Sequence, residues 1–481
     1  MDVSLTGPVP VSDTSPMFLP AALPGAAGSV VLGDHGYVEE EFFLSGRAAV
    51  YDYDDGGHPV VVRDPRAYTT RLIVRRPADA ARASGIVHLE VLNPSAHYDL
   101  AFTWPLAWPS IVRRGHTWIG VTCKPTAVAS LQRFNPARYA PLAFDDLGLV
   151  WDVLADVGAV LHDPDHARRL GLGDVVAVFA SGWSQTGSFL RTFLAEGFHD
   201  RARERAGGPP YDGYLIGISA GGYVYGYSPL NSDAGPELVD AAPRARRRTI
   251  PDLDPRRVIQ PRDVPVIEFI TEAEALENWL GRRPDSDEPG DRYRCYEVPG
   301  RGHRAASMEP ARQIPVEQMR SVGFESPVHP GITPARSADR DHDAQWLVSA
   351  TLDHLRAWVV DGVAPPRADP IVVDYRAGKR ALTDRFGNAR GGVRTPFFTV
   401  PLAAYRSVTP DEPLSEGPAT AWEEVPFTRE QALALYGSKA EYLDRFAVAL
   451  DQAIAARWYL PDDRAAVLAA AADLADRVIG D

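Results

Sequence analysis

The chain has 481 residues, 45 % of them hydrophobic and 24 % charged, with a formal net charge of −14 at pH 7. That balance belongs to a folded globular protein with a large core, and it excludes a disordered, collagen-like or disulfide-scaffold chain. The acidic surface repels phosphate backbones, so nucleic acid is not expected as a partner.

Taken in chain order, the first 36 residues are rich in Pro, Gly, Ala and Ser and read as an irregular arm. The arm has no basic start before an apolar run, so no secretory signal is read. No stretch along the chain reaches the roughly 18 apolar residues of a membrane span. A cytoplasmic location is the simplest expectation, and it agrees with two cysteines, Cys123 and Cys295, set in apolar runs as reduced thiols.

From Val38 to Tyr53 the sequence carries β-formers and ends in Asp54-Asp55-Gly56-Gly57, a turn. The glycine falls one position early for a calcium loop and no closing Glu follows, so a hairpin is expected. Strands are predicted at Arg71 to Arg76, Ile86 to Leu92 and Trp118 to Cys123. Leu147, Val150, Trp151, Leu154, Val157 and Leu161 repeat at three and four residues, which predicts a helix within 144–161. Val175 to Phe179 is a short continuous apolar run, the mark of a strand buried on both faces. Helical spacing resumes at Phe189, Leu190, Phe193 and Leu194.

Further buried strands are expected at Tyr214 to Ile218, Val264 to Ile270 and Tyr293 to Val298, and a helix from Ala344 to Val360. The cluster Arg244, Arg246, Arg247 and Arg248 lies among Pro and Asp and reads as a solvated loop. After Asp361 the pattern changes. Residues 362–425 are rich in Pro, Arg, Gly and Thr, and 428–481 read as two helices divided at Leu460-Pro461-Asp462. Strands alternating with helices predict an α/β fold with a mainly parallel sheet flanked by helices. The organisation expected is an arm (1–36), a core with lid-like insertions (37–361) and a C-terminal extension (362–481) packed on that core.

In such sheets the chemistry sits at the carboxyl ends of the strands. One of those ends is distinctive. The buried run Val175 to Phe179 leads through Ala180-Ser181 into Gly182-Trp183-Ser184-Gln185-Thr186-Gly187, and a helix follows at once. This is the setting of a nucleophile elbow, a strained strand-to-helix turn that lifts a serine hydroxyl clear of the sheet. Thr186 stands where a second glycine is usual, with Gly187 one place later. The amide of Gln185 would then face the oxygen of a carbonyl under attack.

A serine needs a base, and in this arrangement the partners follow in the order Ser, acid, His. The strand Val264 to Ile270 ends in Thr271-Glu272-Ala273-Glu274. Glu274 is the expected acid, with Glu272 as its close competitor. The next strand leads into Pro299-Gly300-Arg301-Gly302-His303, and His303 is the expected base. His329, His342 and His354 lack that placement. A second oxyanion donor is sought in Leu92-Asn93-Pro94-Ser95-Ala96, where Pro94 has no N–H. The amide or side chain of Asn93, or the Ser95 amide, is the candidate, with Asn93 preferred. Trp183, Trp104 and Tyr223, with Tyr98, Phe102, Trp108, Tyr225, Tyr227 and Trp279, fall on loops on the same side. They are expected to line a pocket for a bulky, partly apolar substrate.

With these residues in place, the chain resembles the α/β-hydrolase superfamily. More narrowly it is similar to the alpha/beta hydrolase domain-containing proteins. The likeness rests on Gly182 to Arg191 and on Pro299 to His303. It extends to the block Asp384-Arg385-Phe386-Gly387-Asn388-Ala389-Arg390-Gly391-Gly392-Val393-Arg394-Thr395-Pro396 and to Leu435-Tyr436-Gly437-Ser438. It covers the chain from about Val38 onward. The resemblance implies carboxylic-ester hydrolysis by a serine nucleophile without cofactor or metal, on a small-molecule ester. The family's acid is often Asp where this chain has Glu274. An acyltransferase on the same triad, or a non-catalytic binding protein on the same fold, are the alternatives. A nucleotide-dependent enzyme would need a phosphate loop that the sequence lacks.

Overall fold

The computed structural model describes residues 2–219, 230, 254–277, 281–303, 308, 313–323, 343–376, 380–408 and 421–480. They group into two units. The first comprises Met1–Val266, Glu288–Arg292 and Ser307–His329, and the second Ile267–Asp287, Tyr293–Ala306 and Pro330–Asp481.

The first unit carries strands β1 (Ser4–Thr6), β2 (Tyr37–Tyr53), β3 (Pro59–Pro77), β4 (Ile86–Val91), β5 (Thr117–Val121), β6 (Ala177–Trp183) and β7 (Gly213–Gly217), in the spatial order β1-β2-β3-β5-β4-β6-β7. The β1–β2, β2–β3 and β3–β5 pairs are antiparallel; β5, β4, β6 and β7 run parallel to one another. Every residue of β4, β5, β6 and β7 is buried, as a strand covered on both faces requires. The helices are α1 (Thr103–Arg113), α2 (Pro125–Phe134), α3 (Pro136–Tyr139), α4 (Val150–His162), α5 (Pro164–Arg169), α6 (Gln185–Ala195) and α7 (Phe198–Ala206). Of these, α1 packs on β5, α4 on β2 and β6, and α6 on β6 and β7.

Three differences from the sequence reading have physical causes. β3 is 19 residues long, far beyond Arg71 to Arg76. Its first half, to which the sequence reading assigns no element, carries Arg63 and Arg66; β3 pairs with β2 along almost its whole length, and both arginines bond Asp146. α1 is absent from the sequence reading because its cap is not local. Phe102 offers no side-chain cap, and the buried Glu90 of β4 accepts the N–H groups of Phe102, Thr103 and Trp104 instead. The strand predicted from Val175 starts at Ala177, since Val176 is exposed.

The N-terminal arm is tied down by arginines. Arg71 donates to the Phe18 carbonyl at 3.1 Å, Arg75 to Leu19 at 3.0 Å and Arg138 to Pro10 at 2.6 Å. Arg71 and Arg138 are themselves paired in the interior with Glu41, and Arg71 also with Asp99, which is how a buried guanidinium is tolerated.

The second unit opens with β8 (Val266–Thr271) and α8 (Glu272–Glu277), followed by β9 (Ser286–Glu288) and β10 (Asp291–Val298). A helix of the first unit, α9 (Val316–Ser321), intervenes in the chain. There follow α10 (Ala344–Val360), β11 (Val373–Asp374), β12 (Arg380–Ala381), α11 (Pro396–Thr399), β13 (Ala403–Val408), β14 (Ala421–Pro426), α12 (Arg429–Tyr436), α13 (Lys439–Ala455) and α14 (Arg464–Val478). β13 and β14 form an antiparallel pair. The C-terminal run holds three helices rather than two. Thr428 and Gln431 close a capping box at α12, and Ser438 caps α13. Ile270, Ala275, Ile371 and Ala389 form one core cluster here, joining strand β8 to residues of the C-terminal segment. Among the described residues no helix is long and apolar enough to cross a membrane.

Candidate active site

The turn between β6 and α6 is strained at one residue. Ser184 has φ 55° and ψ −116°, a conformation that non-glycine residues avoid. It is also the sole residue not fully buried between Ala177 and Leu194. The sequence around it supplies what the turn needs. A Cβ on Gly182 would lie 2.4 Å from the Thr186 carbonyl oxygen, and one on Gly187 would lie 2.6 Å from the Gly217 carbonyl oxygen. The close approach expected two residues past the serine therefore falls at Gly187, three past it. Thr186 closes the turn from within. Its hydroxyl accepts from the Trp183 N–H at 3.0 Å and donates to the Trp183 carbonyl at 3.1 Å. Ser184 N–H donates to Gly217 O at 3.0 Å, which pins the turn to the end of β7. Gln185 is the first residue of α6, where a helix leaves its leading N–H groups unpaired and carries positive potential.

In the second unit, α8 begins as β8 ends, and three successive residues of α8 meet the loop after β10. Glu272 accepts the Gly300 N–H at 2.7 Å, Ala273 N–H donates to the Arg301 carbonyl at 3.2 Å, and Glu274 Oε1 lies 2.5 Å from His303 Nδ1. Glu274 is 1 % exposed, and its other oxygen accepts the Thr271 N–H at 2.8 Å and the Thr271 hydroxyl. A carboxylate on Nδ1 fixes the tautomer that leaves Nε2 for proton transfer. The two glutamates that the sequence left in competition thus divide the work. Glu274 holds the imidazole. Glu272 holds backbone, and burial pushes its carboxyl up to about 7.

The alpha/beta hydrolase domain model matches residues 5–469. The chain belongs to the alpha/beta hydrolase domain family. Its fold is accordingly the α/β-hydrolase fold, with extra loops and C-terminal helices. No curated protein matches the sequence. Solved structures similar to this family member include esterase Est22, at 12 % identity, with 64 % of this chain and 82 % of that chain covered and a TM-score of 0.32. Brefeldin A esterase, a bacterial homologue of human hormone sensitive lipase, is 13 % identical, with 65 % and 90 % covered and a TM-score of 0.30. A thermostable esterase from Pseudomonas putida is 13 % identical, with 61 % and 82 % covered and a TM-score of 0.31.

The remaining expected residues fall differently. Asn93 donates its N–H to Leu100 O at 2.8 Å and its Nδ2 to the Trp183 carbonyl at 2.7 Å. The Ser95 N–H donates to Asn93 Oδ1 at 2.9 Å. Neither backbone donor of that loop is open to an oxyanion, and Asn93 acts as a brace between the loop after β4 and the elbow. Trp183 and Trp104, expected to line a pocket, are core residues, 1 % and 3 % exposed. The Trp183 indole covers Gly217 and donates to Thr103 Oγ1 at 2.8 Å. The Trp104 indole donates to Gly28 O at 3.1 Å and lies 4.4 Å under the Arg75 guanidinium. Tyr98 and Phe102 are buried as well. Tyr223, Tyr225, Tyr227, Trp279, His329, His342 and the Arg244 to Arg248 cluster lie outside the described residues. Among the described residues no group of His, Cys, Asp and Glu could hold a metal ion.

Proposed function

We propose that this protein is a serine hydrolase that cleaves carboxylic esters through Ser184, His303 and Glu274. The observation that carries the reading is the backbone of Ser184, strained at the one point of a strand–turn–helix that is not fully buried. Strain of about 1–3 kcal/mol persists where surrounding structure over-determines it, and such residues cluster at functional sites. The Glu274–His303 hydrogen bond supports the same reading from the other end of the constellation.

In this mechanism Ser184 Oγ attacks the ester carbonyl carbon while His303 Nε2 takes the hydroxyl proton. Glu274 stabilises the imidazolium through Nδ1–H. The Gln185 N–H at the head of α6 donates to the oxyanion. Collapse of the tetrahedral intermediate breaks the bond to the alcohol, which leaves with the proton from Nε2. Water then attacks the acyl-serine, gives its proton to Nε2, and releases the acid as Oγ recovers that proton. With Trp183 and Trp104 in the core, neither indole argues for a bulky apolar acyl group.

The test is rapid quenching during turnover of p-nitrophenyl esters from acetate to octanoate. The reading expects a burst of p-nitrophenol matched by an acyl adduct on Ser184, and loss of both in Ser184→Ala. A folded wild-type protein that hydrolyses none of the series and carries no adduct would sink it.

A further inference from the structure

β13 has two edges. One pairs with β14. Among the described residues the other meets no strand, yet its polar groups are occupied by side chains from elsewhere in the second unit. Asn388 donates to the Ala403 carbonyl at 3.2 Å and accepts the Tyr405 N–H at 2.7 Å, and Glu272 accepts the Ser407 N–H at 3.4 Å. Residues 403, 405 and 407 follow the two-residue period of one strand edge, so side chains close that edge. The same strand abuts the histidine loop. Gly300 has φ +66°, and a Cβ there would lie 2.4 Å from Tyr405 Cβ and 2.9 Å from the Phe398 ring.

Glu272 therefore stands at a junction. One oxygen holds Gly300, three residues before His303, and the other holds Ser407 of the C-terminal hairpin. Its side chain is nearly fully buried, so an unpaired carboxyl at this place would be costly, and both contacts are retained by that cost. Two residues on, Glu274 meets the far end of the same loop, the imidazole itself. The loop is thus gripped at its base and its tip by one short helix, and at its base also by β13.

We propose that Glu272 is a positioning residue for His303, and that strand β13 is the second anchor of the histidine loop, so that the C-terminal segment is a working part of the site. This rests on the Ser184–His303–Glu274 reading. Glu272 touches no reacting atom in it; its effect is to hold His303 where Nε2 can serve. A misplacement of about 1 Å in such a group lowers turnover by about 10²-fold, with little change in ground-state binding.

The experiment measures kcat and KM on p-nitrophenyl acetate for the full-length protein and for Glu272→Ala, Glu272→Gln, Ser407→Pro, Ser407→Ala and Glu274→Ala. Glu272→Ala is expected to lower kcat by about 30- to 100-fold with KM within twofold. Glu272→Gln keeps one acceptor for Gly300 but sets an amide against the Ser407 N–H, so about a tenth of that loss is expected. Ser407→Pro deletes the N–H that Glu272 accepts, together with the buried Ser407 hydroxyl, on the edge that meets no strand among the described residues, where proline is tolerated. It should match the glutamine variant once the loss seen in Ser407→Ala, which removes the hydroxyl alone, is allowed for. If Glu272→Ala does not fold, the other two decide. Wild-type kcat in both Glu272→Gln and Ser407→Pro, or an unchanged kcat in a folded Glu272→Ala, overturns the proposal while leaving the triad intact. Loss of activity in the Glu272 variants with an active Glu274→Ala would instead overturn the triad reading, and this proposal with it.

Discussion

Around Ser184 the constraints come mostly from near at hand. Gly182, Trp183, Thr186 and Gly187 shape the turn, and all lie within three residues of the serine. Around His303 they come from far away. Glu274 is 29 positions off, Glu272 stands 28 positions from the Gly300 it holds, and the β13 contact to Glu272 spans 135. The first region is set by local backbone geometry, which tolerates no extra atom. The second is set by hydrogen bonds across the chain, which tolerate changes that keep the partners. A nucleophile can be fixed by a turn; an imidazole at the tip of a loop needs outside support.

This contrast can be broken at several points. The largest effect is expected from Ser184→Ala or His303→Ala, each lowering kcat by about 10⁴- to 10⁶-fold with the circular dichroism spectrum unchanged. Residual activity within tenfold of wild type in either variant would remove that residue from the chemistry. Glu274→Ala comes next, at about 10³- to 10⁴-fold in kcat, because the imidazole loses its tautomer and its counter-charge.

On the elbow side, Gly182→Ala should destabilise the fold by about 1–3 kcal/mol and abolish activity, because a backbone oxygen occupies the place of the new methyl. Chemical denaturation would reveal it, and wild-type stability would show that the turn has slack. Thr186→Val removes the hydroxyl that closes the elbow on Trp183, at about 1–2 kcal/mol. A variant as stable as wild type would show that the bridge is dispensable.

The last prediction belongs to the second unit. His354 is buried against the Arg457 carbonyl at 2.7 Å, and burial lowers its pKa to about 4. As pH falls below about 6.5 the unfolded chain takes up a proton that the folded chain refuses until about 4, so stability present above that window is lost across it, by about 3 kcal/mol. His354→Gln should flatten the fall in Tm between pH 7 and pH 5. An identical fall in both proteins would assign the acid sensitivity elsewhere.

What was legible in the sequence follows the same division. The elbow, its strand and its helix could be read because their determinants are contiguous, and Glu274 and His303 could be placed because each follows a strand end. Glu274 was preferred over Glu272, but the separate partner of Glu272 could not be read, since two carboxylates two residues apart differ only in what they meet. α1 was hidden because Glu90, on another strand, caps it. The indoles of Trp183 and Trp104 were misread because Thr103 and Gly28, distant in sequence, satisfy their N–H groups in the core. β13 was hidden because Asn388 and Glu272, distant in sequence, finish an edge that local pattern leaves open.

The measurement that bears most directly on the central claim is labelling by a fluorophosphonate probe with the adduct mapped by mass spectrometry. The account predicts one adduct, on Ser184, formed rapidly in the wild type, slowed by orders of magnitude in His303→Ala and absent in Ser184→Ala. A folded protein that stays unlabelled, or one that labels at another serine, would contradict it.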